Sequence, residues 1–237
     1  MWPYSQQPLR LALVGMSGSG KSYWTQRIAA ADYPAISCDA QIEQRLAGTL
    51  RSGNYAGIHG VAAWMGWPDS PTYAQREAAY LAEEISTLDG VLSDLEKNPA
   101  QNLILDTTGS VIYVGNHLLH RLRKQMLVVY LAAAPGEQEL LIRRYLEDPK
   151  PVLWRGAFQP RKGEAPRDTV ARCYPALIGA RRQSYAALAH GAIPVAELRE
   201  LSLHEEKGAE AAGRAFLEKV QKQLQSTSNS GRSERPQ

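Results

Sequence analysis

Gly15-Met16-Ser17-Gly18-Ser19-Gly20-Lys21-Ser22 follows directly on the short apolar run Leu9 to Val14 and opens a helical pattern that continues from Lys21 to about Ala31. Glycines at 15 and 20 with Lys21 and Ser22 meet the Walker A spacing. The chemistry follows from the backbone. Glycines let the turn curl until its N–H groups converge on phosphate oxygens, and the positive end of the next helix adds to that field. Lys21 is placed to reach the β- and γ-phosphates, and Ser22 to coordinate magnesium. ATP and Mg2+ are the expected ligands, with Gly15, Ser17, Gly18, Ser19, Gly20, Lys21 and Ser22 forming the phosphate site.

Outward from this turn, apolar runs alternate with helical patterns. Ala35 to Cys38 is a brief strand ending at Asp39, and Ala40 to Leu46 reads as a helix closed by Gly48. Thr49 to Pro71 has no period. It carries Tyr55, His59, Trp64 and Trp67, and is expected to be a long loop or broken helices on the acceptor side. Leu81, Ile85, Leu88 and Leu92 mark one apolar helical face. Asn102 to Asp106 is a strand ending in a carboxylate. Gly115 to Lys124 is a helix, Leu127 to Leu131 a buried strand, and Pro135 to Leu146 a helix broken by Asp148-Pro149-Lys150-Pro151.

A long helix is predicted from Thr169 to His190 with a bend near Pro175. Gly191 to Val195 can be a strand only at a sheet edge, because Pro194 lacks an N–H. Glu205 to Gln223 reads as a surface helix, and Ser226 to Gln237 has the composition of a disordered tail.

This alternation predicts an α/β, three-layer P-loop NTPase sandwich with a mostly parallel central sheet and a helical lid. One domain over 1–225 is expected, with an insertion at about 49–71, a lid at about 143–168 and a tail at 226–237. In such sheets ligands gather beyond the carboxyl ends of the strands, which puts the loops after Val14, Cys38, Leu105 and Leu131 around one cleft.

Composition narrows the classes. The chain has 237 residues, 44% of them hydrophobic, and a net charge of +3. No apolar run approaches the roughly 20 residues of a bilayer span, so no membrane partner is expected. Lys and Arg are dispersed and no basic stripe alternates with aromatics, so long nucleic acid is not an expected partner either. Met1 to Ser5 lacks the basic, apolar, small-residue order of a signal peptide, and a cytoplasmic location is expected. Cys38 and Cys173 are then expected to be reduced, buried thiols. Oligomeric state is not legible.

Three polar residues outside the phosphate turn sit where chemistry would need them. Asp106, at a strand end, can hold magnesium directly or through water, or it can cap the next turn. Asp39 ends the second strand on the same side and can orient or deprotonate an attacking hydroxyl, or cap the following helix. Arg181 shares a helix face with Tyr174, Ile178 and Tyr185, and an arginine on such a face needs an anion, either a substrate or a salt bridge.

The phosphate turn, Asp39 with Ile42-Glu43, Asp106-Thr107-Thr108-Gly109-Ser110, Lys150-Pro151-Val152-Leu153, and Arg181 with Tyr185 come in an order that resembles the shikimate kinase family and related small-molecule kinases. The resemblance covers roughly Leu9 to Val195. It implies that Asp39 contacts the acceptor hydroxyls, that Thr108 and Gly109 line the acceptor site, and that Lys150 takes the place of a lid arginine donating to the transferred phosphate. It further implies that Arg143 lies near the adenine and that Arg181 grips a substrate carboxylate. Three positions depart from the family pattern: Ser37 replaces a second acid, Ala74 replaces a carboxylate-binding arginine with Arg76 two positions away, and Lys150 offers a point charge instead of a planar fork. Arg155, Arg161 or Arg167 could enter on lid closure.

These residues together predict an ATP-dependent kinase that phosphorylates a hydroxyl of a small polyhydroxylated or anionic metabolite, with Lys21, Asp39 and Lys150 as its catalytic groups. A nucleotide-dependent switch or binding protein, and a nucleoside or nucleotide kinase whose tryptophans stack on a base, remain open at this point.

Overall fold

The computed structural model describes residues 8–202 and 208–230. Five strands, β1 (Arg10–Val14), β2 (Ala35–Ser37), β3 (Leu103–Asp106), β4 (Leu127–Ala132) and β5 (Gly191–Pro194), form one parallel sheet in the order β2-β3-β1-β4-β5. Between them run α1 (Lys21–Ala30), α2 (Cys38–Arg45), α3 (Ala47–Ser52), α4 (Gly57–Met65), α5 (Tyr73–Lys97), α6 (Asn116–Gln125), α7 (Gln138–Glu147) and α8 (Pro166–Leu188); α9 (Val195–Ser202) and α10 (Ala209–Ser230) follow the last strand. The α/β sandwich read from the alternation is present.

Every strand of the sheet centre is covered on both sides, as parallel sheets require. Leu11 and Leu13 of β1 face one core with Ile104, Val129 and Ile193, closed by Trp24 and Ile28 of α1 and Phe216 and Val220 of α10. Ala12 and Val14 face the other, with Leu105, Val128 and Tyr130 under α2, α5, α6 and α8. Register then fixes the site. Asp106 pairs with Leu13 on one side and Ser37 on the other, so β1, β2 and β3 end level and deliver Gly15, Cys38 and Asp106 to one edge.

Several expected boundaries change. Gly48 does not close a helix; α2 runs into α3 at Leu46, where the Leu46 N–H still bonds the Ile42 carbonyl. The aromatic insertion is two short helices, α3 and α4, that bury Leu50, Val61, Trp64 and Met65. The core face of α5 is also rotated from the expected one. Tyr80, Glu84, Thr87, Leu88 and Val91 point inward while Ile85 is 37% exposed, because the helix packs on polar groups of the site as well as on apolar ones. Pro194 is the last, exposed residue of edge strand β5, where its missing N–H costs nothing. The 148–165 segment between α7 and α8 is irregular. Both cysteines are buried and free. Among the described residues no helix is long and apolar enough to cross a membrane. Residues 1–7, and 231–237 of the expected tail, lie outside the described residues; 226–230 belong to α10.

The helix expected at the surface, α10, is part of the core. Its Phe216 stacks on Trp24 of α1 with ring centroids 4.9 Å apart. Gly213 makes the approach possible: a Cβ there would stand 2.2 Å from the Arg27 carbonyl oxygen. Gly213→Leu is expected to force the two helices apart, costing at least about 2 kcal/mol and lowering Tm by roughly 4–8 °C. Gly90→Ala, on the open side of α5 with nothing within 4 Å of the new methyl, should instead gain about 0.5–1 kcal/mol from helix propensity. Thermal unfolding of the two variants checks the pair.

Candidate active site

The phosphate turn is held in shape by contacts as well as by its glycines. Gly20 adopts φ 96° as the residue before α1, and a Cβ on Gly15 would stand 3.0 Å from both the Leu131 carbonyl and the Ser19 hydroxyl. Lys21 is buried, and its Nζ donates to the Gly15 and Met16 carbonyls at 3.0 and 3.1 Å. Burial lowers its pKa, against the pull of Asp106 and Asp39.

Asp106 closes β3 beneath the turn. The Ser22 side chain stands beside it, and its Oδ1 is buried without a hydrogen-bond partner. Desolvation raises its pKa while Lys21 opposes the shift. Asp106 caps nothing; the turn after it is closed by Thr107 Oγ1 donating to the Leu13 carbonyl at 2.7 Å and by the Ser110 N–H donating to Thr108 Oγ1 at 3.1 Å. A buried carboxylate oxygen with no partner, next to a hydroxyl at the head of α1, fits a hard cation that keeps waters and phosphate oxygens as its other ligands. Among the described residues there is no group of three acidic, histidine or cysteine side chains that could hold a metal without phosphate.

Asp39 lies in the first turn of α2, half-buried. The capping role falls to Ser37, whose Oγ accepts from the Ala40 N–H at 3.4 Å, which leaves the Asp39 carboxylate for the cavity. Tyr80 of α5 donates to Asp39 Oδ1 at 2.9 Å and fixes its rotamer. Desolvation raises the Asp39 pKa, with Lys21 pulling the other way. Asp39 and Lys21 line one cavity of about 460 Å3 together with Ser17, Ser22, Gly109 and Lys150. Glu43, Ser37, Ala40 and Ile58 complete its far wall.

The other expected acceptor residues divide. Gly109 lines the cavity, and a Cβ on it would come within 3.3 Å of the Ser17 N–H. Thr108 does not line it: its hydroxyl is buried and donates to Glu84 of α5, whose second oxygen accepts from Ser110 at 2.6 Å. Arg181 shares its buried face with Tyr174, Ile178 and Tyr185, as the periodicity predicts, but it does not reach the cavity. Its Nη1 donates to the Gly109 carbonyl at 2.8 Å and its Nη2 to the Leu153 carbonyl at 2.5 Å. Two backbone carbonyls take the guanidinium that the resemblance assigned to a carboxylate.

On the donor side, Arg143 is exposed and stands apart from the main cavity; the equally exposed Arg144 is the one that reaches the phosphate turn, where its Nη1 donates to the Gly18 carbonyl at 3.1 Å. Arg144 also borders a cavity of about 300 Å3 between the phosphate turn and α9, walled by Tyr23, Trp24, Val195 and Leu198. Lys150 stands between the main cavity and a neighbouring one of about 320 Å3 walled by His59, Met65, Trp67 and Tyr145. Asp148 lies 3.8 Å from Lys150 and 3.2 Å from His59 Nδ1, joining the 148–165 segment to α4. The segment is further pinned by Tyr73, whose hydroxyl donates to the Val152 carbonyl at 2.8 Å and accepts from the Trp154 N–H at 3.0 Å. The Arg155 guanidinium carbon stands 5.8 Å from the Tyr113 ring centroid; neither it nor Arg161 nor Arg167 lines the main cavity.

Glu84, Tyr80, Glu43 and Arg144 were not singled out as site residues from the sequence. Tyr80 and Glu84 carried a signal, being one helical turn apart and in phase with Leu88. Burial pushes the Glu84 pKa up to about 7 in spite of its two hydroxyl donors. A carboxyl raised in the folded state binds its proton more tightly there than in the unfolded chain. Its contribution is therefore most favourable below pH 4.5 and is lost as pH rises from about 4.5 to 7, amounting to about 3 kcal/mol. Glu84→Gln keeps an acceptor and a donor for the two hydroxyls, and is expected to flatten the fall of Tm between pH 5 and 7. An unchanged slope would locate the titration elsewhere.

No family model matches the chain, and no curated protein matches it in sequence. In structure it is similar to the shikimate kinase of Acinetobacter baumannii in complex with shikimate, at 20% identity and a TM-score of 0.55 over 91% of this chain and 95% of that one. The shikimate kinase of Bacteroides thetaiotaomicron matches at 19% identity and 0.54, over 90% and 98%. That of Aquifex aeolicus matches at 16% and 0.50, over 90% and 96%. The chain has the P-loop fold of these proteins.

Proposed function

We propose that this chain is an ATP-dependent kinase that phosphorylates a hydroxyl of a small polyhydroxylated or anionic metabolite. The observation that carries the proposal is the convergence of the phosphate turn, Lys21 and Asp39 on one 460 Å3 cavity, with Asp106 and Ser22 paired beneath the turn. The fold shared with the shikimate kinases supports it.

The turn and Lys21 hold the β- and γ-phosphates, and Lys21 exchanges the two carbonyls of its own loop for phosphate oxygens. The base and ribose lie in the cavity beside Tyr23, Trp24 and Leu198. Ser22 and Asp106 would hold magnesium, which when bound neutralises charge on the transferring group. Asp39, oriented by Tyr80, accepts a hydrogen bond from the acceptor hydroxyl and aligns its oxygen for in-line attack. Lys150 approaches the same space from the lid side and stabilises the charge that develops on the phosphoryl oxygens. Tyr73 and Arg181 keep the lid segment close, which limits the water that could compete as nucleophile.

The test is ADP release by purified protein with ATP and Mg2+ across a panel of hydroxylated metabolites, followed by identification of the phosphorylated product. Release that never depends on an acceptor would defeat the proposal and favour a nucleotide-dependent binding protein. The aromatic cavity beside Lys150 supports a nucleoside as the alternative acceptor, its base lying near Trp67 and Tyr145. Nucleosides therefore belong in the same panel.

A further inference from the structure

The charges around the acceptor end of the main cavity go further than the fold does. We infer that the acceptor carries no acidic group: it is a neutral polyol or an aminated one, bound against Asp39 and Glu43, and hydroxy acids are rejected. The inference rests on the kinase reading above and narrows its acceptor.

No arginine lines this cavity, and the arginines around its acceptor end are engaged elsewhere. Arg181 is 1% exposed, with its two terminal nitrogens on the Gly109 and Leu153 carbonyls. Arg76 donates to the Trp64 carbonyl and lies 5.9 Å from the centre of that indole. Position 74, two residues before Arg76 on the same helix, holds an exposed alanine. A planar fork that could clamp a carboxylate is absent from the cavity wall.

Carboxylates stand on that wall instead. Asp39 and Glu43 are four residues apart, hence on one face of α2, and both line the cavity beside Ser37. Glu43 is anchored, its Oε1 accepting from the Gly57 N–H at the head of α4 at 2.9 Å. The cations present are Lys21 and Lys150. Lys21 belongs to the phosphate turn, and Lys150 has Asp148 3.8 Å away. Two lysines thus face two carboxylates before the magnesium nucleotide brings its net negative charge; Asp106 below is offset by the magnesium it would hold. An acidic acceptor would have to sit between Asp39, Glu43 and the γ-phosphate, where like charges at close quarters cost several kcal/mol. Hydroxyls and an ammonium group meet the same wall as hydrogen-bond donors.

The experiment compares acceptors that keep their hydroxyls and change in charge: shikimate and its methyl ester as one pair, gluconate and its amide as a second, with glucose and glucosamine beside them. Transfer from ATP is measured for each, and binding of each to the protein loaded with Mg-ADP is followed by calorimetry. The neutral or aminated member should exceed its acidic counterpart in kcat/KM by at least about 100-fold, the discrimination that several kcal/mol of repulsion supplies. Glu43→Gln, which keeps an oxygen for the Gly57 N–H, should narrow that ratio by about tenfold. An acidic member that is the preferred substrate or the tighter ligand overturns the inference, as does a ratio that Glu43→Gln leaves unchanged. Binding of none of the panel also counts against it. Binding in the expected order without phosphoryl transfer would instead defeat the kinase reading and leave the charge preference standing.

Discussion

Asp39→Asn is expected to lower kcat by roughly 10²- to 10⁴-fold, the range of a positioned acid or base, while nucleotide affinity changes little. The asparagine can still accept from Tyr80 and fill the same volume, so α2 and its Ser37 cap should stay in place. What it loses is the anionic oxygen that takes the acceptor's proton. It also loses the attraction between Asp39 and buried Lys21, whose pKa the carboxylate helps to keep up. Nucleotide titration and acceptor turnover on the same preparation separate the two effects. If turnover survives while nucleotide binding weakens, Asp39 acts on the phosphate turn and the acceptor is oriented by another group. Acidification should act in the same sense on the wild type. Burial raises the Asp39 pKa, so its anionic form is lost at a higher pH than an exposed aspartate would lose it.

Arg181→Met should produce the largest loss of stability among single changes near the site. The Leu153 carbonyl would lose the Nη2 bond, and the Gly109 carbonyl would keep only Tyr185. Charge-assisted bonds of this kind contribute about 1.5–3 kcal/mol each, so a loss of about 3 kcal/mol and a Tm lower by roughly 6–12 °C are expected. Methionine fills the space and adds no charge. The opposing effect is desolvation, since no carboxylate partners this guanidinium in the structure and its Nε is buried without a partner. A buried cation held at a cost can be replaced by an apolar side chain with a gain. A rise in Tm on Arg181→Met would therefore mean that desolvation of the guanidinium outweighs its bonds to the Gly109 and Leu153 carbonyls.

The donor end of the site was legible because its signals are local. Gly15, Gly20, Lys21 and Ser22 act through backbone shape and sit next to one another in the chain, between a strand and a helix that periodicity marks on both sides. Asp39 and Asp106 were found for a similar reason, each standing where an apolar strand stops. Arg181 was placed on the correct helix face, yet its partners are carbonyls at 109 and 153, and no periodicity reports on a bond between distant segments. Glu84 shows the same limit from the other direction. It looks like an ordinary helical glutamate until tertiary packing brings Thr108 and Ser110 against it. At 143 and 144 a difference of one residue, about 100° on a helix, decided which arginine meets the phosphate turn. The aromatic insertion hid two helices because each is too short to show a repeat.

Packing of α10 on α1 also bears on how the protein is made. The outer side of the helix that carries Lys21 and Ser22 is covered by Phe216, Leu217 and Val220, residues that follow every strand in the chain. A chain made only as far as α9 holds the Walker turn and all five strands, with Trp24 and Ile28 not yet covered by α10. Nucleotide binding is therefore expected to follow the docking of α10 on α1. Comparing the chain cut at 205 with the full chain tests this, with protease resistance of the N-terminal half expected only in the longer one.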